Sequence, residues 1–327
     1  MATLLDDLAQ TFSPSFTDEL GLRIGSKREL VAQGLAVAGP LVTAALANKA
    51  STPSGATGVF DMLPLGSGSS VLQNLTGLIR SGGAAPSLLS TIFGTGAGAI
   101  SGTIDRALNF KASKLLPFAA PIVLAMISKV VAERKLNASG VAQLLQTEAN
   151  EAKRAGGENA RIVSEALDAG RQASETLGKY SPEQWTTVRL APVAAARMVM
   201  LADVSGPVGA VKEVGTTAKV ISEAKKTAAP TSLLGLAYEK DLTVEEMDRF
   251  LTGRAPADAL STVRQAVDVV SKNNPSDAPS YKHFVEDVAT KVAEASKEGG
   301  VLGIGGTRVS AEEQEALNKL RSAISPG

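Results

Sequence analysis

Ala36-Val37-Ala38-Gly39-Pro40-Leu41-Val42-Thr43-Ala44-Ala45-Leu46 and Pro117-Phe118-Ala119-Ala120-Pro121-Ile122-Val123-Leu124-Ala125-Met126-Ile127 look like copies of one pattern. Each reads as an apolar helix with a proline in its interior. A polar stretch follows both, and then a glycine-led apolar segment, Gly58-Val59-Phe60-Asp61-Met62-Leu63 in the first and Gly140-Val141-Ala142-Gln143-Leu144-Leu145 in the second. The glycine lies 18 residues after Pro40 and 19 after Pro121, so one insertion aligns the copies as an internal repeat. An interior proline has no N–H to give, which leaves carbonyls near Ala36 and Pro117 in need of another partner. Paired, the two units predict a pseudo-repeated helical bundle with proline-kinked core helices.

Composition supports that fold class. Aromatic residues make up only 4% of the chain while alanine and leucine dominate, and few segments alternate with period two, so the prediction is all-α. A length of 327 residues favours two domains over one. Lys plus Arg equals Asp plus Glu at 33 each, and the missing basic footprint counts against a nucleic-acid partner. Without cysteine there is no disulfide, thiolate nucleophile or thiolate metal site. The opening MATLLDDLAQ holds two aspartates and no basic residue, unlike a secretory signal, so the expected location is cytoplasmic. The most membrane-like run, Leu115 to Ser128, is shorter than the roughly 20 apolar residues of a spanning helix, and it reads as a core helix.

Helix starts organise the rest. Ser26-Lys27-Arg28-Glu29 has the form of a capping box opening the first proline helix. Residues 64–72 read as a connector, followed by a short helix near Val71 to Leu78 and a break at Ser81-Gly82-Gly83. In Phe93-Gly94-Thr95-Gly96-Ala97-Gly98-Ala99-Ile100-Ser101-Gly102-Thr103-Ile104, no full nucleotide fingerprint is present. Gly94, Gly98 and Gly102 fall four apart, the spacing of one helix face that lets another backbone approach. The expected domains are residues 1–150, a charged helical bridge over 151–180 and a second helical domain over 181–327. Ser181-Pro182-Glu183-Gln184, Thr243-Val244-Glu245-Glu246 and Ser310-Ala311-Glu312-Glu313 mark helix starts in the second domain.

The glycine segment at 93–104, Ala119-Ala120-Pro121-Ile122-Val123-Leu124 and the trailing Leu136-Asn137-Ala138-Ser139-Gly140-Val141-Ala142-Gln143-Leu144-Leu145 carry a resemblance to the YidB-like family of bacterial proteins, a family without a known function. It covers about residues 18–150; the helices after Glu151 are additional. The resemblance implies a compact bundle and transfers no catalytic residue.

Candidate chemistry is sparse. His283 is the only histidine, and a metal site built on it would have only carboxylates to add, so no metal and no cofactor are expected. The acidic groups Glu245, Glu246, Asp248 and Glu312, Glu313, Glu315 sit in first helical turns, where the helix dipole accounts for them. Trp185, with Val188, Ala196 and Val199, reads as core packing if its helix runs through Pro192. An anion loop is conceivable at Gly305, Gly306, Thr307, Arg308 and Ser310, the basis for an alternative reading as an enzyme with an anion site. The leading expectation is a non-enzymatic binding or assembly protein. Its groove would lie between the proline helices, at Pro40, Leu41, Pro121, Ile122 and Met126, and would take a protein partner, another copy of the chain or an apolar ligand. A peripheral membrane or lipid-binding protein is the other alternative.

Overall fold

The computed structural model describes residues 3–65, 68–202, 207–243, 245–246, 256–295 and 309–325. The fold is all-α, with no strand among the described residues. Contacts divide the chain into two compact units, Met1–Ser174 and Glu175–Gly327.

The first unit contains α1 (Leu4–Thr11), α2 (Pro14–Ile24), α3 (Arg28–Lys49), α4 (Pro53–Asp61), α5 (Gly68–Gln73), α6 (Leu75–Ser81), α7 (Pro86–Phe93), α8 (Ala97–Leu108), α9 (Leu116–Arg134) and α10 (Ala138–Ala155). The division between units falls inside α11 (Gly157–Leu177). The proline helices α3 and α9 are apolar on nearly every side and form the centre. Against them pack α10, α5 and the short flanking helices, while α4 lies on α10. Val31, Leu35, Leu41 and Leu46 of α3 meet Leu116, Ile122 and Ile127 of α9 in one core, to which α10 adds Val141 and Leu145. The segment expected as a bridge takes part in this core: α11 buries Ile162, Val163 and Ala166 in it.

Side-chain caps open α1, α2, α4, α6 and α10, but not α3, where one was expected. Ser26 does not cap α3; the N-cap is Lys27, without a side-chain bond. The Ser26 N–H instead donates to the Gly21 carbonyl (2.9 Å), closing α2 beyond the left-handed Gly25.

The repeat also aligns differently from its sequence. Gly140 is the third residue of α10, its N–H donating to the Asn137 side chain (3.0 Å). The residue in that role in α4 is Gly55, whose N–H donates to Thr52 (3.1 Å), whereas Gly58 lies farther along the helix with nothing near it. Gly55 follows Pro40 by 15 residues and Gly140 follows Pro121 by 19, so the second proline helix runs about one turn longer after its proline.

The second unit holds α12 (Pro182–Met200), α13 (Pro207–Thr227), α14 (Leu233–Ala237), α15 (Pro256–Asn273), α16 (Ala278–Ala295) and α17 (Ala311–Ile324). α12 is its axis, buried at every residue from Leu190 to Val199 and continuous through Pro192. One side of it, with Ala191, Ala195 and Met198, meets α15, α16 and α17. The other, with Val193 and Ala196, meets Val220 and Ile221 of α13, Tyr238, and Phe284 of α16. All three predicted caps form: Ser181 with Gln184, Thr243 with Glu246, and Ser310 with Glu313.

Candidate functional site

The five residues expected to line a groove between the proline helices sit deeper than that. Leu41 and Ile122 are fully buried and Met126 nearly so, which makes them interior packing; Pro40 and Pro121 are half-buried. The reason is that α1 covers this part of the bundle, packing on α3, α9 and α10. Leu8 lies directly on Gly39, the residue before Pro40, with Leu8 Cγ 3.4 Å and a Phe12 ring carbon 3.6 Å from where a Cβ on Gly39 would stand. A Cβ at 39 would displace the Leu8 side chain from its seat.

The polar anchor of α1 is Glu148. Its carboxylate accepts the Leu4 N–H (3.1 Å) and the Leu5 N–H (3.4 Å), across a sequence separation of 144 for the first. Thr3 and Asp6 serve the other two donors as a capping box, the Thr3 hydroxyl accepting the Asp6 N–H (3.0 Å) and the Asp6 carboxylate accepting the Thr3 N–H (2.9 Å). The open N–H groups of Thr3, Leu4, Leu5 and Asp6 are therefore all satisfied. Glu148 itself is 6% exposed. Burial raises its pKa, against the lowering effect of the two backbone N–H groups, and the facing carboxylates of Glu151 and Asp6 add to the rise. A carboxyl raised on folding stabilises most when protonated, so its contribution is complete below the ordinary glutamate range and is lost as pH climbs through the raised value. Stability of the first unit is thus expected to fall with rising pH across that window, and Glu148→Gln to flatten the dependence. Denaturation midpoints of the two chains against pH check this; the same slope in both would contradict it.

The carbonyls released by the interior prolines find partners of three kinds. That of Pro117, four residues before Pro121, accepts the Ala84 N–H at 2.7 Å from the Gly82-Gly83 turn. That of Val188, four before Pro192, accepts the fully buried Tyr281 hydroxyl at 2.7 Å. Ala36, four before Pro40, lies on the exposed side of α3, within reach of water. The need at Ala36 and Pro117 follows from the prolines themselves; the Ala84 donor does not.

In the second unit the three tyrosines and the single tryptophan of the chain gather around the opened segment of α12. Tyr238 donates to the Arg189 carbonyl (2.9 Å) and meets Phe284 edge-on at 5.6 Å; Tyr180 meets Trp185 edge-on at 5.3 Å. Burial, and then the Asp277 carboxylate, pushes the Tyr180 hydroxyl up to about 12, and this hydroxyl has no hydrogen-bond partner among the described residues. The Arg189 side chain ties the following loop down, donating to the carbonyls of Ala237 (2.8 Å) and Lys240 (3.3 Å) and to Glu246 (2.8 Å). The Thr243 N–H, and then the guanidinium, hold the Glu246 carboxyl below its usual value. Apart from the Tyr180 hydroxyl, these polar groups bond to backbone or side chains of neighbouring helices and loops. Tyr281→Phe strands the Val188 carbonyl and is expected to cost about 1–3 kcal/mol. In a Pro192→Ala background residue 192 regains an N–H for that carbonyl, so the loss shrinks; Trp185 fluorescence during urea unfolding measures the cycle.

Gly305, Gly306, Thr307 and Arg308 lie outside the described residues, and Ser310 is committed to capping α17. Asp248 also lies outside them. His283 is exposed, and no cluster of three metal-ligating side chains occurs among the described residues. Glu246 and Glu313 work as cap partners, as helix starts require. Trp185 is half-buried against both cores of its unit, in line with Val188, Ala196 and Val199, which are buried. A surface depression of about 430 Å³ between α5 and α6, lined by Val71, Asn74, Gly77 and Leu78, holds no titratable side chain.

The glycine face needs correction. Gly94 ends α7 at φ 66° and is exposed, and α8 begins only at Ala97. Close approach comes instead through Gly96, set against the backbone of Gly170 in α11. Glu148 is the functional-looking residue that sequence reading missed. Its signal was available: it continues the Val141, Leu145 stripe of α10, where an apolar residue belongs.

Residues 6–130 match the model of a family described as bacterial protein of unknown function (DUF937). No curated protein and no solved structure matches the chain.

Proposed function

We propose that the chain is a non-enzymatic helical binding or assembly protein of the bacterial cytoplasm, with a YidB-like first domain and, as partner, another protein or a second copy of itself. The observation that carries the reading is α1 seated on the proline helices. A surface that takes up a short amphipathic helix, with a glycine for its leucine and a carboxylate for its first amides, has the chemistry of helix-in-groove recognition. Light scattering of the purified chain and a pull-down from the native organism test it. A defined oligomer or a captured helical partner supports the proposal; a strict monomer that captures nothing counts against it.

A second reading, association with lipid, has one observation in its favour. Arg28–Lys49 and Ala112–Arg134 are long and apolar enough to cross a membrane by length and composition. Core helices of soluble proteins pass the same test, and 72% of each apolar window is buried, which favours packing over lipid contact. Liposome flotation that leaves the protein in the soluble fraction would sink this reading.

A further inference from the structure

We propose that α1 is a displaceable strap, and that the surface beneath it on α3, α9 and α10 accepts in exchange a partner helix carrying leucine-type residues at i and i+4 and offering its first two backbone N–H groups to Glu148. The inference rests on the binding reading and names the chemistry of the partner. α1 is short, and only Leu4 and Leu8 are buried on it, while α3 and α9 bury most of their length. A helix of this size is not stable alone in water, so it exists as a helix only while docked. Its opposite side shows Asp6, Asp7, Ala9 and Gln10 to solvent.

The receiving surface is more specific than core packing requires. Gly39 clears a space that Leu8 fills, and Phe12 reaches the same glycine while stacking on Phe16 at 5.8 Å where α1 joins α2. α10 gives up one position of its apolar stripe to a carboxylate, although an apolar residue there would bury equal surface without the desolvation cost. A buried carboxylate facing two consecutive amides recognises the start of a helix. Leu4, Leu8 and the amides of Leu4 and Leu5 are what a replacement would have to reproduce.

The test uses the full chain. In amide hydrogen exchange, α1 is expected to open as one unit at least about tenfold faster than α3, α9 and α10. Glu148→Ala is expected to speed α1 by about tenfold more, the loss of hydrogen bonds to a charged acceptor, without changing the protection of α9. Leu8→Asp unseats α1, and a fluorescent peptide of residues 1–12 is then expected to bind that variant saturably, while the peptide carrying the same substitution does not. Amides in α1 as slow as those of α3 overturn the strap, and so does a folded Leu8→Asp chain that ignores the peptide. Should Leu8→Asp lose its helical circular dichroism, exchange on the unsubstituted chain decides. An α1 that opens and is replaced by peptide in a chain that captures no partner and stays monomeric keeps the strap and removes the proposed function. A rigid α1 in a chain that still assembles does the reverse.

Discussion

Gly96→Ala is expected to destabilise the first unit by about 3 kcal/mol or more, at the upper end of what overpacking a core does. A Cβ at this position would stand inside the Gly170 carbonyl oxygen, with Gly170 C at 2.6 Å and Cα at 2.7 Å. All of these are backbone atoms, so no rotamer change relieves the collision; α8 and α11 must separate. Separation would uncover Ile100, which lies against Gly170, and break the Thr95 to Ser174 hydrogen bond (3.1 Å). Thermal unfolding by circular dichroism and exchange rates in α8 and α11 measure the effect. Gly58→Ala is the control, since nothing lies within 4 Å of its Cβ position and the residue is inside α4. That substitution is expected to stabilise by up to roughly 1 kcal/mol through helix propensity. Equal effects from the two would refute the packing argument.

Gly83→Ala combines two penalties and is expected to cost about 3 kcal/mol. The residue has φ 82°, a left-handed conformation that costs an L-residue roughly 1–2 kcal/mol. Its Cβ would also lie 2.7 Å from the Pro117 carbonyl oxygen and 2.8 Å from the carbon, displacing the turn whose Ala84 N–H serves that oxygen. A carbonyl left unsatisfied adds about 1–3 kcal/mol. The second penalty has a diagnostic. Pro121→Ala supplies an N–H to the same carbonyl from within α9, so in that background Gly83→Ala should lose part of its effect. Denaturation midpoints of the four chains test this, and strict additivity would show that strain alone accounts for the loss.

What could be read from the chain follows the range of each interaction. Ser181, Thr243 and Ser310 were legible as caps because the groups they bind lie three residues away. Ser26 has the same local pattern, yet α3 starts one residue later, with Lys27 at the N-cap. The buried side of α11, Ile162, Ala166, Ala169 and Ala173, follows helical spacing. The glycine that matters in 93–104 was not legible, because the break between α7 and α8 changes which glycine meets a neighbouring backbone. Likewise Gly58 matched Gly140 in sequence, while the extra turn of α9 gives the equivalent role to Gly55.

Sequence alone determined the all-α class, the caps at Ser181, Thr243 and Ser310, the two apolar proline helices and the fact that their freed carbonyls need donors. These depend on the identity of residues within about one helical turn of each other. Only the tertiary structure decided which groups answer: Ala84 for Pro117, Tyr281 for Val188, Glu148 for the first amides of α1 and Gly170 for Gly96. Those pairings join residues far apart in the chain and depend on backbones meeting to within fractions of an ångström. Local pattern fixes that a donor or a cleared space is required, and the packing of whole helices fixes what fills it.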